Sequence, residues 1–529
     1  MGAMLRLTDI KLPLDHGPEA LKAAILKKLK LPADQLLDWT VFKRGHDARN
    51  RKAIVYIYTV DVRLKDESRA PKGTAPSPDM EYRPAASPPP QFQRPLVVGA
   101  GPCGLFAALI LAQSGFRPII LERGKLVRER TKDTWGLWRR SELNPESNVQ
   151  FGEGGAGTFS DGKLYSQIKD PRHLGRKVLT EFVKAGAPEE ILTEAHPHIG
   201  TFRLVTMVES MRQTIEALGG EYRFQSKVAD LLLDASRRIR GVKLESGEEI
   251  ASNHVVLALG HSARDTFQML YDRGVAIEAK PFSIGFRIEH PQGMIDKARY
   301  GRSIPQLGAA EYRLVHHAKN GRGVYSFCMC PGGTVVAAAS EPGRVVTNGM
   351  SQYSRNERNA NAGIVVGITP EQDYPGHPLA GVALQRQWES AAFLAGGSSY
   401  RAPAQLVGDF IAGKASTALG DVVPSYRPGV TPTDLSQCLP DYAIAAMREA
   451  LPAFGRQIAG FDRPDAVLTG VETRTSSPIR IQRGEGLQSL NTPGLFPAGE
   501  GAGFAGGILS AAIDGIRVAE AVAKSIAGN

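Results

Sequence analysis

Three closely spaced glycines, Gly99, Gly101 and Gly104, form the clearest chemical pattern in this chain. They make the motif GxGxxG directly after the apolar residues 96–98, which are typical of a short buried strand. Such a turn lets backbone N–H groups approach a pyrophosphate, and the helix that follows directs its positive end at the same anion. The glycines therefore predict a phosphate-binding turn.

The residues after this turn complete a nucleotide-binding unit. Residues 105–114 have the small and apolar side chains of a helix packed on a sheet, and residues 118–121 are typical of a second buried strand. Glu122 closes that strand, where its carboxylate can accept hydrogen bonds from ribose hydroxyls. The order strand, glycine turn, helix, strand and acid predicts a dinucleotide-binding βαβ unit. Glu122 disfavours a 2′-phosphate at this site, whereas the adjacent Arg123 could accept one.

Two further glycine-rich stretches lie at residues 152–157 and 499–507. The first is a nest of backbone N–H groups against which a flat ring or a phosphate can lie, with Lys163 just beyond it. In the second, Glu500 is placed to bind a ribityl hydroxyl. The predicted helix 508–523 would point its N-terminus at an electron-rich group, such as the carbonyl edge of a flavin.

Two cysteines, Cys328 and Cys330, lie two residues apart in a predicted strand, so strict alternation would place both thiols on one face. Three interpretations apply: buried small side chains, a metal pair, or redox or substrate-contacting thiols near a cofactor. Partners at zinc-site spacing are not in view, and no metal is expected. We favour the buried structural interpretation and keep both residues as catalytic candidates.

Three basic residues are the other catalytic candidates. Lys163 follows the first glycine nest, and Arg474 and Arg480 lie in the polar stretch 472–481. A positive group near a reduced flavin or an anionic substrate would stabilise the negative charge. All three are therefore predicted to line the reaction site.

The elements around these residues divide the chain into five segments. Residues 1–70 predict a small α+β domain of ferredoxin-like type, and the proline-rich residues 71–95 predict a linker. Residues 96–279 and 431–529 predict the two parts of a Rossmann-type domain with a central parallel sheet. Residues 280–430 are rich in predicted strands and are expected to form an inserted substrate domain over the cofactor. The expected fold class is α/β.

Composition limits the remaining possibilities. Four cysteines in 529 residues do not make a disulfide framework, and no apolar run is long enough to span a bilayer. We therefore expect a cytoplasmic protein. The net charge of +10 permits an anionic partner but does not require one.

Several of these stretches resemble one family. LVVGAGPCGLFAALILAQSG, the VVLALG strand that ends at Gly260, and LFPAGEGAGFAGGI are similar to FAD-dependent oxidoreductases of the glutathione reductase-like superfamily. The stretches NVQFGEGGAGTFSDGKL, FSIGFRIEHPQ, YSFCMCPGG and ETRTSSPIRI resemble those of bacterial uncharacterised FAD-dependent dehydrogenases. The resemblance covers residues 90–525 and implies FAD as the cofactor.

By this resemblance the first turn would hold the pyrophosphate, Val228 would meet the adenine through its backbone, and residues 154–157 would line the isoalloxazine. Gly499 and Glu500 would hold the ribityl chain. Together, the predicted cofactor residues are Gly99, Gly101, Pro102, Cys103, Gly104, Glu122, Arg123, Gly154, Gly155, Ala156, Gly157, Thr158, Val228, Gly260, Gly499, Glu500, Gly506, Gly507 and Ile508.

The favoured function is an FAD-dependent oxidoreductase that transfers a hydride or an electron pair between the flavin and an organic small molecule. NAD(P)H would be a transient donor, because one complete dinucleotide unit is recognisable in the sequence. In a second hypothesis, the basic residues 43–52 belong to an RNA-binding module and the flavin domain modifies RNA. In a third, the N-terminal domain docks an electron-transfer protein.

Overall fold

Residues 96–98, predicted as a buried strand, lie at the centre of a parallel sheet in the computed structural model, which describes residues 4–71 and 74–528. The strands are β1 (Leu5–Pro13), β2 (Leu36–Asp47), β3 (Val55–Leu64), β4 (Ala75–Pro76), β5 (Leu96–Val98), β6 (Ile119–Leu121), β7 (Glu221–Arg223), β8 (Val228–Leu233), β9 (Ile239–Leu244), β10 (Glu249–Ala251), β11 (Val255–Leu257), β12 (Ile277–Ala279), β13 (Phe282–Pro291), β14 (Val315–His317), β15 (Gly323–Ala337), β16 (Thr347–Ser351), β17 (Asn359–Ile368), β18 (Ala402–Leu406), β19 (Val430–Pro432), β20 (Val467–Glu472), β21 (Ile479–Ile481) and β22 (Leu495–Pro497).

The α-helices connect and cover these strands. They are α1 (Ala20–Leu29), α2 (Pro102–Gln113), α3 (Val127–Arg140), α4 (Leu174–Lys184), α5 (Thr201–Ala217), α6 (Arg264–Asp272), α7 (Gln292–Tyr300), α8 (Pro370–Asp373), α9 (Ala380–Ala395), α10 (Val407–Ala412), α11 (Asp441–Gln457) and α12 (Ile508–Ala527).

The nucleotide-binding unit predicted from the sequence is present. The parallel sheet has the order β22-β11-β5-β6-β7, and α2 connects β5 to β6. All three residues of β5 are buried, because the sheet is covered on both faces. Helices α2, α4, α5 and α12 form the apolar layer on one face. The antiparallel sheet β10-β9-β8 and helix α6 cover the other. The fold is thus mixed α/β with a parallel sheet.

The stretch YRFQSKVADLLL, residues 222–233, predicts a single strand from its sequence. The structure divides it into two strands, since β7 ends at Arg223 and β8 begins at Val228. β7 closes the parallel sheet, whereas β8 belongs to the three-stranded sheet. The chain turns between them at Gln225, whose φ of 52° is left-handed. This turn carries the chain from one layer to the next.

The N-terminal sheet has the order β2-β3-β1-β4, with α1 on one face. A ferredoxin-like fold requires two helices, and α1 is the one α-helix among the described residues 4–71, so this type is not confirmed. The sequence also predicts that the basic residues 43–52 form the turn between two strands, but the turn is shorter because β2 runs on to Asp47. From the proline-rich segment, Tyr82 and Phe92 pack against the apolar layer around α2.

A sheet of eight strands forms the second large layer. Its order is β14-β15-β17-β13-β20-β18-β19, and β16 pairs with β15. Helices α9 and α11 pack on it and share its apolar core. β20 lies between β13 and β18, so this sheet extends past residue 430, where we placed the end of the inserted domain. The predicted strands VYSFCMC and TVVAAAS overlap one strand, β15.

Within the part of the chain that the structure describes, no helix is long and apolar enough to cross a membrane. The same residues include no group of three or more His, Cys, Asp or Glu side chains placed to hold a metal ion.

Candidate active site

A cavity of about 1900 Å³ lies between the parallel sheet, the eight-stranded sheet and the N-terminal domain. Most of the predicted cofactor residues line one end of it. They are Gly99, Gly101, Pro102, Cys103, Glu122, Arg123, Gly155, Ala156, Gly157, Val228, Gly260, Glu500, Gly506, Gly507 and Ile508. Three glycine-rich stretches that are far apart in the sequence therefore meet at one site.

Four predicted cofactor residues lie behind this surface. Gly104 packs inside the turn, where an added Cβ would lie 1.9 Å from the carbonyl oxygen of Gly99. Gly154 is also tightly packed, because an added Cβ would lie 2.2 Å from the Thr158 hydroxyl. The N–H of Gly499 donates to the Asp514 carboxylate at 2.8 Å. These residues shape the turns and do not line the cavity.

The first turn needs glycine at position 99. Gly99 has a φ of 103°, and an added Cβ would lie 2.5 Å from the carbonyl oxygen of Ala258 on β11's C-terminal side. This close packing brings the turn up to the end of the sheet. It also leaves Gly101, the residue before helix α2, facing the cavity.

Glu122 holds the glycine turns together. Its carboxylate accepts hydrogen bonds from the N–H groups of Ala100 at 2.9 Å, Gly124 at 2.8 Å and Gly152 at 2.9 Å. The side chain is buried yet lines the cavity. A carboxylate has about four acceptor positions, so one remains for a ribose hydroxyl.

The cavity has the form that a large nucleotide requires. Helices α2 and α12 both begin at its wall, so unpaired N–H groups and two positive helix ends face the same space. An added Cβ at Gly260, Gly506 or Gly507 would meet no atom within 4 Å, although all three glycines line the cavity. These open backbone positions fit FAD.

Lys163 lines the same cavity and lies in a cluster of charged groups. Its Nζ is 3.8 Å from the Asp161 carboxylate and 3.9 Å from Glu311, and it donates to the carbonyl oxygen of Met329. Burial alone would lower the pKa of Lys163, but Glu311 and Asp161 outweigh it and raise the pKa above the usual range. Lys163 is therefore a fixed positive charge.

Sequence reasoning missed two members of this cluster, Arg355 and Glu311. Arg355 donates to Asp161 through Nε at 2.9 Å and lies 3.0 Å from Glu311. Glu311 also accepts a 3.3 Å hydrogen bond from the Tyr165 hydroxyl. Both residues come from irregular segments without a motif. Their one sequence feature is an isolated charge, which is common in any loop.

Arg474 lines the cavity but is held by a buried ion pair. Its guanidinium donates to Glu389 at 3.0 and 3.1 Å and to the Ser340 hydroxyl at 2.6 Å. Arg264 binds the same carboxylate. Burial would raise the pKa of Glu389, but the two guanidinium charges hold it well below its usual range. The positive charge that Arg474 presents to the cavity is therefore partly neutralised by Glu389.

Arg480 lies away from the cavity. It is on β21, pairs with Glu278 at 3.4 Å, and both side chains are more than 40% exposed. Because residues of β21 alternate, Ile479 and Ile481 point into the core and Arg480 points to the surface. The prediction that Arg480 lines the reaction site is wrong.

The two cysteines do not share one orientation. Cys328 lines the cavity, whereas Cys330 is fully buried behind it. A bulge between Phe327 and Cys330 interrupts the pairing of β15 with β17 and breaks the alternation on which the prediction relied. Both thiols are free.

Glu500 is a further residue of the cavity wall. Burial raises its pKa to about 7, an effect that Lys280 reduces and Cys328 increases. Glu500 therefore can hold a proton near neutral pH.

The N-terminal domain forms one wall of the cavity. Strand β2 docks on residues 193–195, where the Arg44 N–H donates to the Thr193 carbonyl at 2.6 Å and the Ala195 N–H donates to the Arg44 carbonyl at 2.7 Å. The ring of His46 meets Tyr300 edge-on at 5.9 Å. The basic stretch predicted as a turn thus faces this cavity, with Lys43, Arg44, His46, Arg49 and Arg51 among its lining residues.

Comparison with known proteins agrees with this geometry. Residues 281–475 match a family model described as the C-terminal domain-like part of FAD-dependent proteins, and residues 4–63 match a domain of unknown function. A Clostridium beijerinckii protein, described as uncharacterized, is 47% identical over 529 residues, which cover 98% of each chain.

Two solved structures are also similar, at low identity. The 3-ketosteroid-Δ4-(5α)-dehydrogenase of Rhodococcus jostii is 13% identical, with 82% of this chain and 96% of that chain covered and a TM-score of 0.36. The L-proline dehydrogenase of P. horikoshii is 14% identical, with 83% and 94% covered and a TM-score of 0.33. At these values neither structure informs the activity of this chain. The 47% identity to the clostridial protein and the family match together show that the chain belongs to an uncharacterised family of FAD-dependent proteins.

Proposed function

We propose that the protein is an FAD-dependent oxidoreductase that exchanges an electron pair with an organic small molecule. The single observation that carries the proposal is the continuity of the cavity from the glycine turn at Gly99 to the cluster around Lys163. A pocket for one drug-sized ligand occupies roughly 300–1,000 Å³, and this cavity has about 1900 Å³. A cofactor at the glycine end leaves space for a second molecule.

The roles of the chain's own residues follow from their positions. Gly101 and the start of α2 would hold the phosphates, the start of α12 beside Gly507 would face the flavin ring, and Glu122 would hold a ribose. Bound FAD would supply a two-electron acceptor. At the far end, Lys163, Arg355 and Glu311 provide fixed charges of both signs, which would orient a polar or zwitterionic substrate.

The N-terminal domain would complete the substrate end. His46, Arg49 and Tyr56 line the cavity opposite residues 305–308, and the Tyr56 hydroxyl donates to the Gln306 carbonyl at 3.3 Å. This wall would exclude bulk water from the reaction site. Several basic residues of the stretch 43–52 line the mouth of the cavity, so in this proposal they serve the small-molecule site.

Anaerobic reduction of the purified full-length protein tests the proposal. After incubation with FAD and desalting, we expect a yellow protein with one flavin per chain. NADH and NADPH are tested as donors, and the reduced protein is then reoxidised against a metabolite panel.

The outcomes are distinct. Reduction by a nicotinamide or by a metabolite supports a small-molecule oxidoreductase. A protein that stays colourless, or a bound flavin that only a protein donor reduces, overturns it. Lys163→Met should slow reduction without loss of FAD binding, whereas Lys184→Met, on the outer face of α4, should change neither.

A further inference from the structure

The two cysteines on β15 have no part in the function proposed above. Cys328 lies on the cavity wall and has a φ of 43°, a left-handed conformation that is unfavourable for a residue with a side chain. Strain of this kind persists where the surroundings impose it, and it concentrates at functional sites. The bulge that imposes it also turns Cys328 toward the cavity.

The Cys330 thiol lies against the backbone of Cys328. The Sγ of Cys330 lies 3.4 Å from the carbonyl oxygen of Cys328. A hydrogen bond from the Cys330 thiol lowers the pKa of Cys328; burial opposes this, and the charges of Arg287 and Lys163 add to it. The pKa of Cys330 is raised by the same hydrogen bond and by burial. Of the two thiols, Cys328 is therefore the one that ionises more readily.

Buried charges fix the pair in place. The Arg287 guanidinium donates from Nη1 to the Cys328 carbonyl at 2.8 Å and pairs with Glu472 at 2.9 Å. An added Cβ at Gly349 would lie 2.9 Å from the Cys330 Sγ and 2.6 Å from Arg287 Nη1, so no side chain fits between them. The glycine lets Arg287 approach both cysteines.

Cys328 lines the same cavity as the predicted cofactor residues. Charge on Cys328 raises the pKa of Glu500, which also lines this cavity. Lys163 and Asp161 approach from the glycine nest, and Arg287 and Glu472 from β13 and β20. Cys328 therefore lies on the wall of this cavity, near charged side chains from the glycine nest and from β13 and β20.

We propose that Cys328 and Cys330 form a redox-active dithiol that passes an electron pair to bound flavin. Two S–H bonds break and one S–S bond forms between the two Sγ atoms. The two electrons and two protons released reduce oxidised FAD to its dihydro form, and the reverse reaction regenerates the dithiol. The inference rests on the proposed function for its electron acceptor.

The test begins with flavin-free full-length protein that is reduced with dithiothreitol and desalted without oxygen. Oxidised FAD is then added, and visible absorbance is followed while samples are alkylated and digested with trypsin. Both cysteines fall in one peptide, residues 323–344, which has no Lys or Arg before Arg344. We expect bleaching of the bound flavin to match the loss of two hydrogen masses from this peptide.

The variants separate a redox role from a structural one. Cys328→Ser and Cys330→Ser should each abolish bleaching by the protein's own thiols, because one thiol cannot close a disulfide. Cys438→Ala, at a buried cysteine outside the cavity lining, should bleach like the unaltered protein. If FAD binds and stays yellow while both thiols remain open to alkylation, the dithiol inference is overturned and the proposed function stands.

A second measurement does not depend on flavin. If FAD does not bind, the proposed function fails, and the flavin-free protein is equilibrated in a glutathione redox buffer. An internal disulfide within residues 323–344 would support the cysteine pair. Persistent dithiol, or glutathione adducts alone, would overturn it.

Discussion

The carboxylate of Glu122 accepts a 2.9 Å hydrogen bond from the backbone N–H of Gly152, thirty residues further along the chain. The same carboxylate binds the N–H of Ala100 in the first glycine turn. One buried side chain therefore sets the distance between the two loops that form the glycine end of the cavity. Loss of this link should affect both stability and FAD binding.

We expect Glu122→Gln to lower the free energy of unfolding by about 1–3 kcal/mol, since an amide NH₂ would face a backbone donor. The dissociation constant for FAD should rise. Chemical denaturation of the flavin-free protein and fluorescence titration with FAD measure the two effects. Glu129→Gln, exposed on α3, is the control and should change stability by less than about 0.5 kcal/mol. Equal behaviour of the two variants would contradict the role given to Glu122.

The ion pair of Glu389 with Arg264 and Arg474 predicts a larger effect. Glu389→Gln leaves the buried Arg474 guanidinium without a counter-charge and leaves Arg264 with Glu341 alone, and we expect it to cost about 3–5 kcal/mol of stability at pH 7. Glu278→Gln breaks the exposed pair with Arg480 and should cost about 0–1 kcal/mol. Urea denaturation measures both.

Acid should remove the contribution of Glu389. Its pKa in the folded protein is depressed, so the stability it provides is complete above the ordinary glutamate pKa and is lost as the pH falls through the lower folded value. Stability measured from pH 7 down to pH 3 should fall less steeply in Glu389→Gln than in the unaltered protein. Parallel curves would contradict the prediction.

The effect of Glu500 on stability should depend on pH in the opposite direction. Burial raises its pKa to about 7, so its contribution is complete below the usual glutamate pKa and is lost as the pH rises through about 7. Glu500→Gln should therefore stabilise the flavin-free protein at pH 8 by roughly 2 kcal/mol and have little effect at pH 4. Thermal denaturation across this range measures the difference. A variant that is destabilised at pH 8 would show that the charge is satisfied.

Two glycines in the N-terminal domain offer a matched test of its docking. An added Cβ at Gly45 would lie 3.2 Å from the Ala195 Cβ, whereas one at Gly17 would meet no atom within 4 Å. Gly45→Val should separate β2 from residues 193–195 and destabilise the protein by about 1–3 kcal/mol. Gly17→Val should neither separate β2 from these residues nor destabilise the protein. Proteolysis of the proline-rich segment reports the separation; equal protection in both variants would contradict it.

Local patterns in the sequence were sufficient for the nucleotide-binding half. The glycine turn at Gly99, helix α2 and strand β6 are adjacent in the chain, so their apolar and glycine residues specify one unit. Helix α12 was predicted for the same reason. In contrast, residues 222–233 alternate like one strand, and only packing against two different sheets divides them.

The reaction end depends on contacts between distant residues. The partner of Arg474 is Glu389, 85 residues earlier in the chain, and Arg355 reaches Asp161 across 194 residues. No spacing rule connects such pairs. The orientation of Cys328 was missed because a bulge, which has no clear sequence pattern here, reverses the expected face. Charged and reactive residues were recognised by type, but their neighbours were not.

Strand β22 forms one edge of the parallel sheet, and β5, the first of its strands along the chain, lies at the centre. Helix α12 packs on α2. About 400 residues separate the two strands, a long loop to close during folding. On the ribosome, β5, α2 and β6 emerge long before their partners exist. The site around the glycine turn therefore stays incomplete until the whole eight-stranded sheet and β22 have been synthesised. We expect a newly made chain to bind its nucleotide only at this late step.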